Sequence, residues 1–232
     1  MKILITGTRK GVGRTLAEHF LGAGHTVIGC SRRGSPVEHP RYEHHEVDVT
    51  ESDQVRGMFR AVKRSHGYLD ALVANAGTST MNHFMLVPED LTRRIFDVNV
   101  FAVLGCCREA AKLMRHSPGS TTAILAVSTV AVPWALEGQL AYSASKAAVE
   151  QVVRVMSKEL ADHRIRINGI GLPPVDTGLA RSVPAEKLRA LVDRQTIKRP
   201  CTVADIVGPV EFLLGPGSAF VTGETLFLGG VN

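Results

Sequence analysis

Tyr142 and Lys146 stand four residues apart in "YSASK", within a stretch whose pattern predicts a helix over 139–163. At that spacing both side chains leave one helix face, a turn apart. Tyrosine is a poor proton carrier near neutral pH, because its ordinary pKa is about 10. A nearby ammonium favours the phenolate and lowers that value. A tyrosine tuned this way can give a proton to a carbonyl oxygen or take one from an alcohol. Thirteen residues before Tyr142, where an apolar strand ends, lies "VST". A hydroxyl there can hold a substrate oxygen beside the phenol. A lone Tyr-x-x-x-Lys is common on ordinary helices, so the pair needs support from the rest of the chain.

That support begins at the N-terminus. The apolar run "KILIT" (2–6) leads into "TGTRKGVG" (6–13), and a helical pattern follows over 12–22. A helix N-terminus exposes unpaired N–H groups and partial positive charge, and it attracts phosphate where no side chain blocks the approach. Gly7 lets the chain turn off the strand. Gly11 allows close approach of the backbone, and Gly13 lets the helix pack on the sheet. The spacing is G-x-x-x-G-x-G, which departs from the usual dinucleotide fingerprint. It also fails as a P-loop, with Thr8 and Arg14 where Gly and Lys are required. The loop therefore reads as a phosphate cradle for a nucleotide. A free ribose 2′-hydroxyl is usually held by an acid after the second strand. This chain has Ser31, Arg32 and Arg33 there instead. Arginine binds phosphate oxygens bidentately, and Lys10 faces the same region. Together they favour NADP(H) over NAD(H).

Strand and helix patterns alternate along the whole chain. Strands are expected at 2–6, 25–30, 44–49, 69–77, 121–128, 165–171 and 224–228. Helices are expected at 12–22, 51–65, 88–115, 139–163 and 203–214. The strands are nearly continuous apolar runs, as when helices cover both faces of a sheet. The pattern predicts a doubly wound, mostly parallel α/β sheet in one domain, residues 1–232. With 232 residues, 44% hydrophobic and 21% charged, the chain can bury a sizeable core. The net charge is +5, but Lys and Arg are scattered, which argues against a nucleic-acid surface. No apolar run reaches membrane-spanning length and "MKILITG" does not read as a signal peptide. The four cysteines lack metal or disulfide spacing, so buried thiols in a cytoplasmic protein are expected.

These motifs, taken in order, resemble the short-chain dehydrogenase/reductase family over essentially the whole chain. "TGTRKGVG" resembles its glycine loop, Asp48 and Val49 its adenine-side motif, and Asn75, Ala76 and Gly77 its "NAG" turn. Asn99 in "DVNV" matches the asparagine of a proton relay, and "YSASK" the catalytic element. "FVTGETLFLGG" is similar to the C-terminal stretch, with Leu228 where Asp is usual. The resemblance implies seven strands in the order 3-2-1-4-5-6-7. It implies hydride transfer between a nicotinamide and a small carbonyl or alcohol. It assigns catalysis to Asn99, Thr129, Tyr142 and Lys146, with Lys146 also holding the nicotinamide ribose. Thr129 occupies the place of the family's serine, with Ser128 beside it. Only one of two successive strand residues faces the substrate, and the spacing favours Thr129. Coenzyme contact falls to Gly7, Arg9, Lys10, Gly11, Val12, Gly13, Ser31, Arg32, Arg33, Asp48, Val49 and the "NAG" turn. Tyr142, Lys146, Val175 and Thr177 complete that set. Leu172 and Pro173 replace a frequent Pro-Gly pair.

The amphipathic stretch 179–192, in a region (177–200) read as a substrate lid, has the position of the family's mobile segment. Pairing into a dimer or tetramer through the helices 88–115 and 139–163 is implied, with Val98, Phe101, Val149 and Val153 among the contacts. The C-terminal region is also similar to 3-oxoacyl-acyl-carrier-protein reductases. A catalytically silent NADP(H) sensor or scaffold is the alternative, weakened by retention of both Tyr142 and Lys146. "HHEVD" (44–48) can be drawn as a metal site but reads as structural. Trp134 either packs on substrate or caps the core.

Overall fold

The strand "KILIT" lies inside the sheet, between neighbours as apolar as itself. In the computed structural model, which describes residues 1–119, 122–175 and 185–231, this strand (β1, Lys2–Thr6) pairs in parallel with β2 (Thr26–Ser31) and β4 (Ala71–Ala74). With β3 (Tyr42–Glu46), β5 (Thr122–Thr129), β6 (Ile165–Leu172) and β7 (Thr225–Phe227), they form one parallel sheet in the order β3-β2-β1-β4-β5-β6-β7. Parallel neighbours bring all the strand C-terminal ends to one edge, and ligands of open α/β sheets bind at that edge.

Alternate side chains of each strand feed two cores. On one face Leu4, Ile28, Leu72, Ile124 and Ile167 pack under α2 (Ser52–His66), α4 (Ala102–Met114) and α6 (Leu140–Glu159). On the other, Ile3, Ile5, Val27, Val73 and Leu125 pack under α1 (Gly11–Gly22) and α8 (Val203–Leu214). Cys30, Cys106, Cys107 and Cys201 are all free and buried. Among the described residues no helix is long and apolar enough to cross a membrane.

Three expectations are corrected and two helices are added. The third strand covers 42–46 rather than 44–49, so Asp48 and Val49 lie in the turn before α2. The helix expected at 88–115 is broken: α3 (Glu89–Phe96) and α4 are separated by a π turn, Asp97–Phe101. The extra residue in that turn points Asn99 inward, where it is fully buried. The polar region after β6 contains a further helix, α7 (Ala185–Arg194), and a short helix, α5 (Ala131–Trp134), follows β5. Val149 and Val153 belong to the chain's own core rather than to an outer face, whereas Phe101 is 60% exposed.

The ends of β1 and β4 are tied together by polar contacts. Thr6 Oγ1 accepts from the backbone N–H groups of Asn75 (3.0 Å) and Ala76 (2.9 Å), and Asn75 Nδ2 donates to Thr6 O at 2.8 Å. Thr6 is 2% exposed, so no water replaces it. Thr6→Val keeps the shape and removes the acceptor. A buried N–H without a partner costs about 1–3 kcal/mol. Urea denaturation of Thr6→Val is expected to show a loss of that size, with no change in the m-value; an unchanged midpoint contradicts the clamp.

Candidate active site

A cleft of about 970 Å³ runs along the C-terminal edge of the sheet. Its first wall is the loop between β1 and α1. Gly7 has φ +79° and Gly11 φ +61°, values that favour glycine. A Cβ on Gly13 would lie 2.5 Å from both Asn75 Nδ2 and Gly7 O. Gly13 therefore sits behind the cleft, seating the helix on the "NAG" turn, while Gly7, Arg9, Lys10, Gly11 and Val12 line it. Lys10 is the N-cap of α1 with no side-chain cap, and the first turn has no acidic residue. The N–H groups of the first turn are thus left to an anion.

At the far end of β2, Ser31, Arg32 and Arg33 line the cleft, and both arginines are exposed. Asp48 and Val49 form the neighbouring rim. Asp48 Oδ1 accepts from Thr50 N (3.0 Å) and Thr50 Oγ1 (2.8 Å), so this carboxylate also orders the turn into α2. A glycine cradle at a helix N-terminus fits the phosphates of a dinucleotide.

Asn75, Ala76 and Gly77 form the middle wall. Behind it, Asn99 Oδ1 accepts from Thr78 N at 2.9 Å. Its Nδ2 donates to Thr78 O (2.9 Å) and to Ser145 Oγ (3.0 Å). Asn99 does not line the cleft itself; it holds the loop at Gly77 against α6. A Cβ on Gly77 would come within 3.3 Å of Asn99 Oδ1 and 3.6 Å of Lys146 Nζ.

Tyr142, Lys146 and Thr129 meet at the inner wall. The phenol and the Thr129 hydroxyl face each other across this wall. Burial raises the Tyr142 pKa, and the Thr129 hydroxyl opposes part of that rise. The expected lowering by the Lys146 ammonium is not what sets this value. Lys146 Nζ is instead turned to Val127 O, at 2.7 Å. Lys146 is 3% exposed, and burial lowers its own pKa to about 8. Ser128, on the opposite face of the strand, donates to Glu150 Oε1 at 2.6 Å. The alternation of β5 thus gives Thr129 to the phenol and Ser128 to the helix behind it. Burial raises the Glu150 pKa, partly offset by the Ser128 bond.

Val175 lines the cleft and bridges to Cys201; Thr177 lies outside the described residues, as does the start of the segment read as a lid. From the remainder of that segment, Leu188 and Leu191 reach the cleft, and the Arg194 guanidinium lies 5.2 Å from the Trp134 ring centroid. Trp134 is 5% exposed and does not line the cleft, which decides for the core. Sequence reasoning missed Gln139, Arg94 and Met81, which also line the cleft. Gln139 stands three residues before Tyr142, a spacing that puts it on the same helix end. Among the described residues no group of His, Cys, Asp or Glu side chains could hold a metal.

Comparison with known proteins matches this geometry to a group. A family model described as Enoyl-(Acyl carrier protein) reductase matches residues 7–232. A D-erythrulose reductase of Gallus gallus is 32% identical over 237 residues, covering 99% of this chain and 94% of that protein. A carbonyl reductase (NADPH) 2 of Sus scrofa is 30% identical, with 98% and 94% covered. Among solved structures, the ligand-free aldohexose dehydrogenase of Thermoplasma acidophilum superposes with a TM-score of 0.89 at 27% identity, covering 99% of this chain and 93% of that one. With the match running from the first glycine of the loop to residue 232, on this fold, the chain belongs to the short-chain dehydrogenase/reductase family of oxidoreductases.

Proposed function

We propose that the protein is an NADP(H)-dependent reductase of small carbonyl compounds, working reversibly on the matching alcohols. The observation that carries this reading is one cleft that joins Arg32 and Arg33, at the end of β2, to Tyr142 and Thr129 on its inner wall. When bound, the nicotinamide coenzyme supplies or accepts the hydride. This chain's residues do the rest. Gly7, Gly11 and the first turn of α1 bind the pyrophosphate. Arg32, Arg33 and Lys10 hold the 2′-phosphate, and Ser31 ties the backbone between strand and arginines through its bond to Arg33 O. The Thr129 hydroxyl holds the substrate oxygen against the phenol, and Tyr142 gives that oxygen its proton. Lys146 lines the same wall, where its ammonium would hold the ribose, and Asn99 supports that wall by holding the Gly77 loop against α6. The relatives named for D-erythrulose and for an aldohexose support a short, oxygen-rich carbonyl substrate.

The coenzyme reading is tested by Arg32→Asp. Wild type is expected to bind NADPH more tightly than NADH. Exchanging the cation for an acid is expected to weaken NADPH and spare NADH in fluorescence titrations. A wild type that prefers NADH contradicts the reading.

Tyr142→Phe keeps the ring but loses the transferable proton. General acid catalysis contributes roughly 10²–10⁴-fold, so kcat is expected to fall by that factor or more with little change in NADPH affinity. Thr129→Ala is expected to cost more kcat than Ser128→Ala, since Thr129 is on the phenol's side of the strand and Ser128 is turned to Glu150. Near-full turnover by Tyr142→Phe on a true substrate would falsify the mechanism, and a reversed order of the two hydroxyls would misassign Thr129.

Lys146 adds a pH signature to the protein without coenzyme. Its pKa is about 8 when folded, against 10.5 ordinarily. Between these values the unfolded chain holds a proton that the folded chain has released. Stability contributed by this residue therefore rises with pH across that window. The difference in unfolding free energy between wild type and Lys146→Met, measured in urea from pH 7.5 to about 10, is expected to move in favour of wild type as pH rises. A flat difference shows that the amine is not desolvated.

A further inference from the structure

Strand β3 reads Tyr-Glu-His-His-Glu, an unusually polar sequence for a sheet. Tyr42 and His44 project to one face, as residues two apart must. In register, Tyr42 lies beside Val27 and His44 beside Gly29. A Cβ on Gly29 would lie 2.2 Å from the Tyr42 hydroxyl and 2.5 Å from Thr8 Oγ1. Glycine in the middle of β2 thus leaves the opening through which Tyr42 and Thr8 meet, 2.9 Å apart. Thr8 belongs to the glycine loop and is fully buried.

The other end of this row reaches the rim of the cleft. His44 Nδ1 is 3.0 Å from the Tyr42 hydroxyl. His44 Nε2 is 3.2 Å from both Ser31 Oγ and Arg33 O. Ser31 Oγ donates to Arg33 O at 2.6 Å. Arg33 O has two lone pairs, which take the Ser31 O–H and a His44 Nε2–H. A proton on Nε2 makes Nδ1 of the neutral ring an acceptor. With the phenol proton rotated from Thr8 Oγ1 to Nδ1, the Thr8 hydroxyl, 2.9 Å away, turns its own proton to the phenol oxygen. One assignment satisfies every member from Thr8 to Arg33. Burial lowers the His44 pKa, in keeping with the neutral ring this assignment needs.

We propose that His44, braced by Tyr42 and Thr8, is a positioning residue that fixes the Ser31–Arg33 backbone so that the cleft discriminates for a 2′-phosphorylated coenzyme. The inference rests on the NADP(H) reading above and names the residues that hold its recognition element in place. His44 and Tyr42 do not line the cleft, so they act through the groups that do. Both bonds accepted by Arg33 O hold the backbone from behind, while the arginine side chains remain free to turn to phosphate. A segment ordered in advance loses less freedom on binding. That advantage is confined to ligands that contact it.

The test is calorimetric titration of the coenzyme-free protein with NADP⁺, NAD⁺, 2′,5′-ADP and 5′-AMP, together with kcat at saturating NADPH. His44→Leu removes both ring contacts, and Tyr42→Phe removes only the brace. Each is expected to weaken NADP⁺ and 2′,5′-ADP by about 3–10-fold, the worth of one net hydrogen bond. NAD⁺ and 5′-AMP affinities and kcat are expected to be unchanged. His44→Gln, which presents an N–H in place of Nε2, is expected to recover most of the loss. Equal weakening of all four ligands overturns the proposal, because the row then merely supports the loop. Unchanged affinities in both variants overturn it too. A wild type without preference for NADP⁺ overturns the coenzyme reading and this inference with it. A preference that depends on Arg32 but not on His44 overturns this inference alone. Should His44→Leu fail to fold, Tyr42→Phe and His44→Gln decide the question by the same criteria.

Discussion

The cleft depends on how closely the end of β1 approaches the end of β4. Thr6 accepts two backbone N–H groups from the "NAG" turn while Asn75 returns a bond to Thr6 O. The same Asn75 amide lies where a Cβ on Gly13 would have to be. Strand, turn and helix are therefore spaced by one asparagine. Moving any of them outward opens the glycine cradle; moving any inward produces a clash. A strand and the helix that follows it obtain one geometry with a turn more than sixty residues further along the chain, from contacts that leave no room for a methyl group. Interiors packed to this density transmit small shifts rather than absorb them.

A second constraint is the desolvation of the inner wall. Burial acts on Tyr142 and Lys146 in opposite directions, raising the phenol and lowering the amine. Each change disfavours that residue's own charged form. A phenol held protonated is ready to act as a donor, which is the state that carbonyl reduction requires. The Val127 carbonyl gives the ammonium one partner, and Thr129 gives the phenol another. In this arrangement tuning comes first from burial and from the hydroxyl, while the lysine is directed to the sheet. The simple picture of an ammonium acidifying a neighbouring phenol depends on where Nζ points, and spacing on a helix does not specify that.

The alternation of apolar strands with helical patterns made the doubly wound sheet legible, because both faces are covered and each strand had to be apolar throughout. The glycine loop, "NAG", Asn99 and "YSASK" were legible as elements of a site because each keeps its order along the chain. Other features depended on tertiary geometry. The third strand begins at Tyr42 because its register is set by pairing with β2. The π turn at Asp97–Phe101 carries no proline or glycine to announce it. Val149 and Val153 follow a helical period, but which face they occupy depends on where the sheet lies. The row from Thr8 through Tyr42 and His44 to Arg33 joins three segments, and only strand register brings them together.

Adjacent hydroxyls on β5 show how the strand period separates tasks. Thr129 is turned to the cleft and the phenol; Ser128 is turned to α6, where it donates to Glu150. Glu150 is 7% exposed, and burial raises its pKa, so its charged form is disfavoured there. A carboxylate in that position is tolerable only with a donor, and Ser128 supplies one. Lys146 and Glu150 are one turn apart on the same helix, yet Lys146 Nζ bonds Val127 O while Glu150 bonds Ser128. Two successive residues of the strand thus hold two successive turns of α6, one through a carbonyl and one through a hydroxyl. This double attachment fixes the rotation of the helix about its axis. With the rotation fixed, Tyr142, one turn before Lys146, is brought to Thr129, so the alignment of phenol and hydroxyl follows from how the strand anchors the helix.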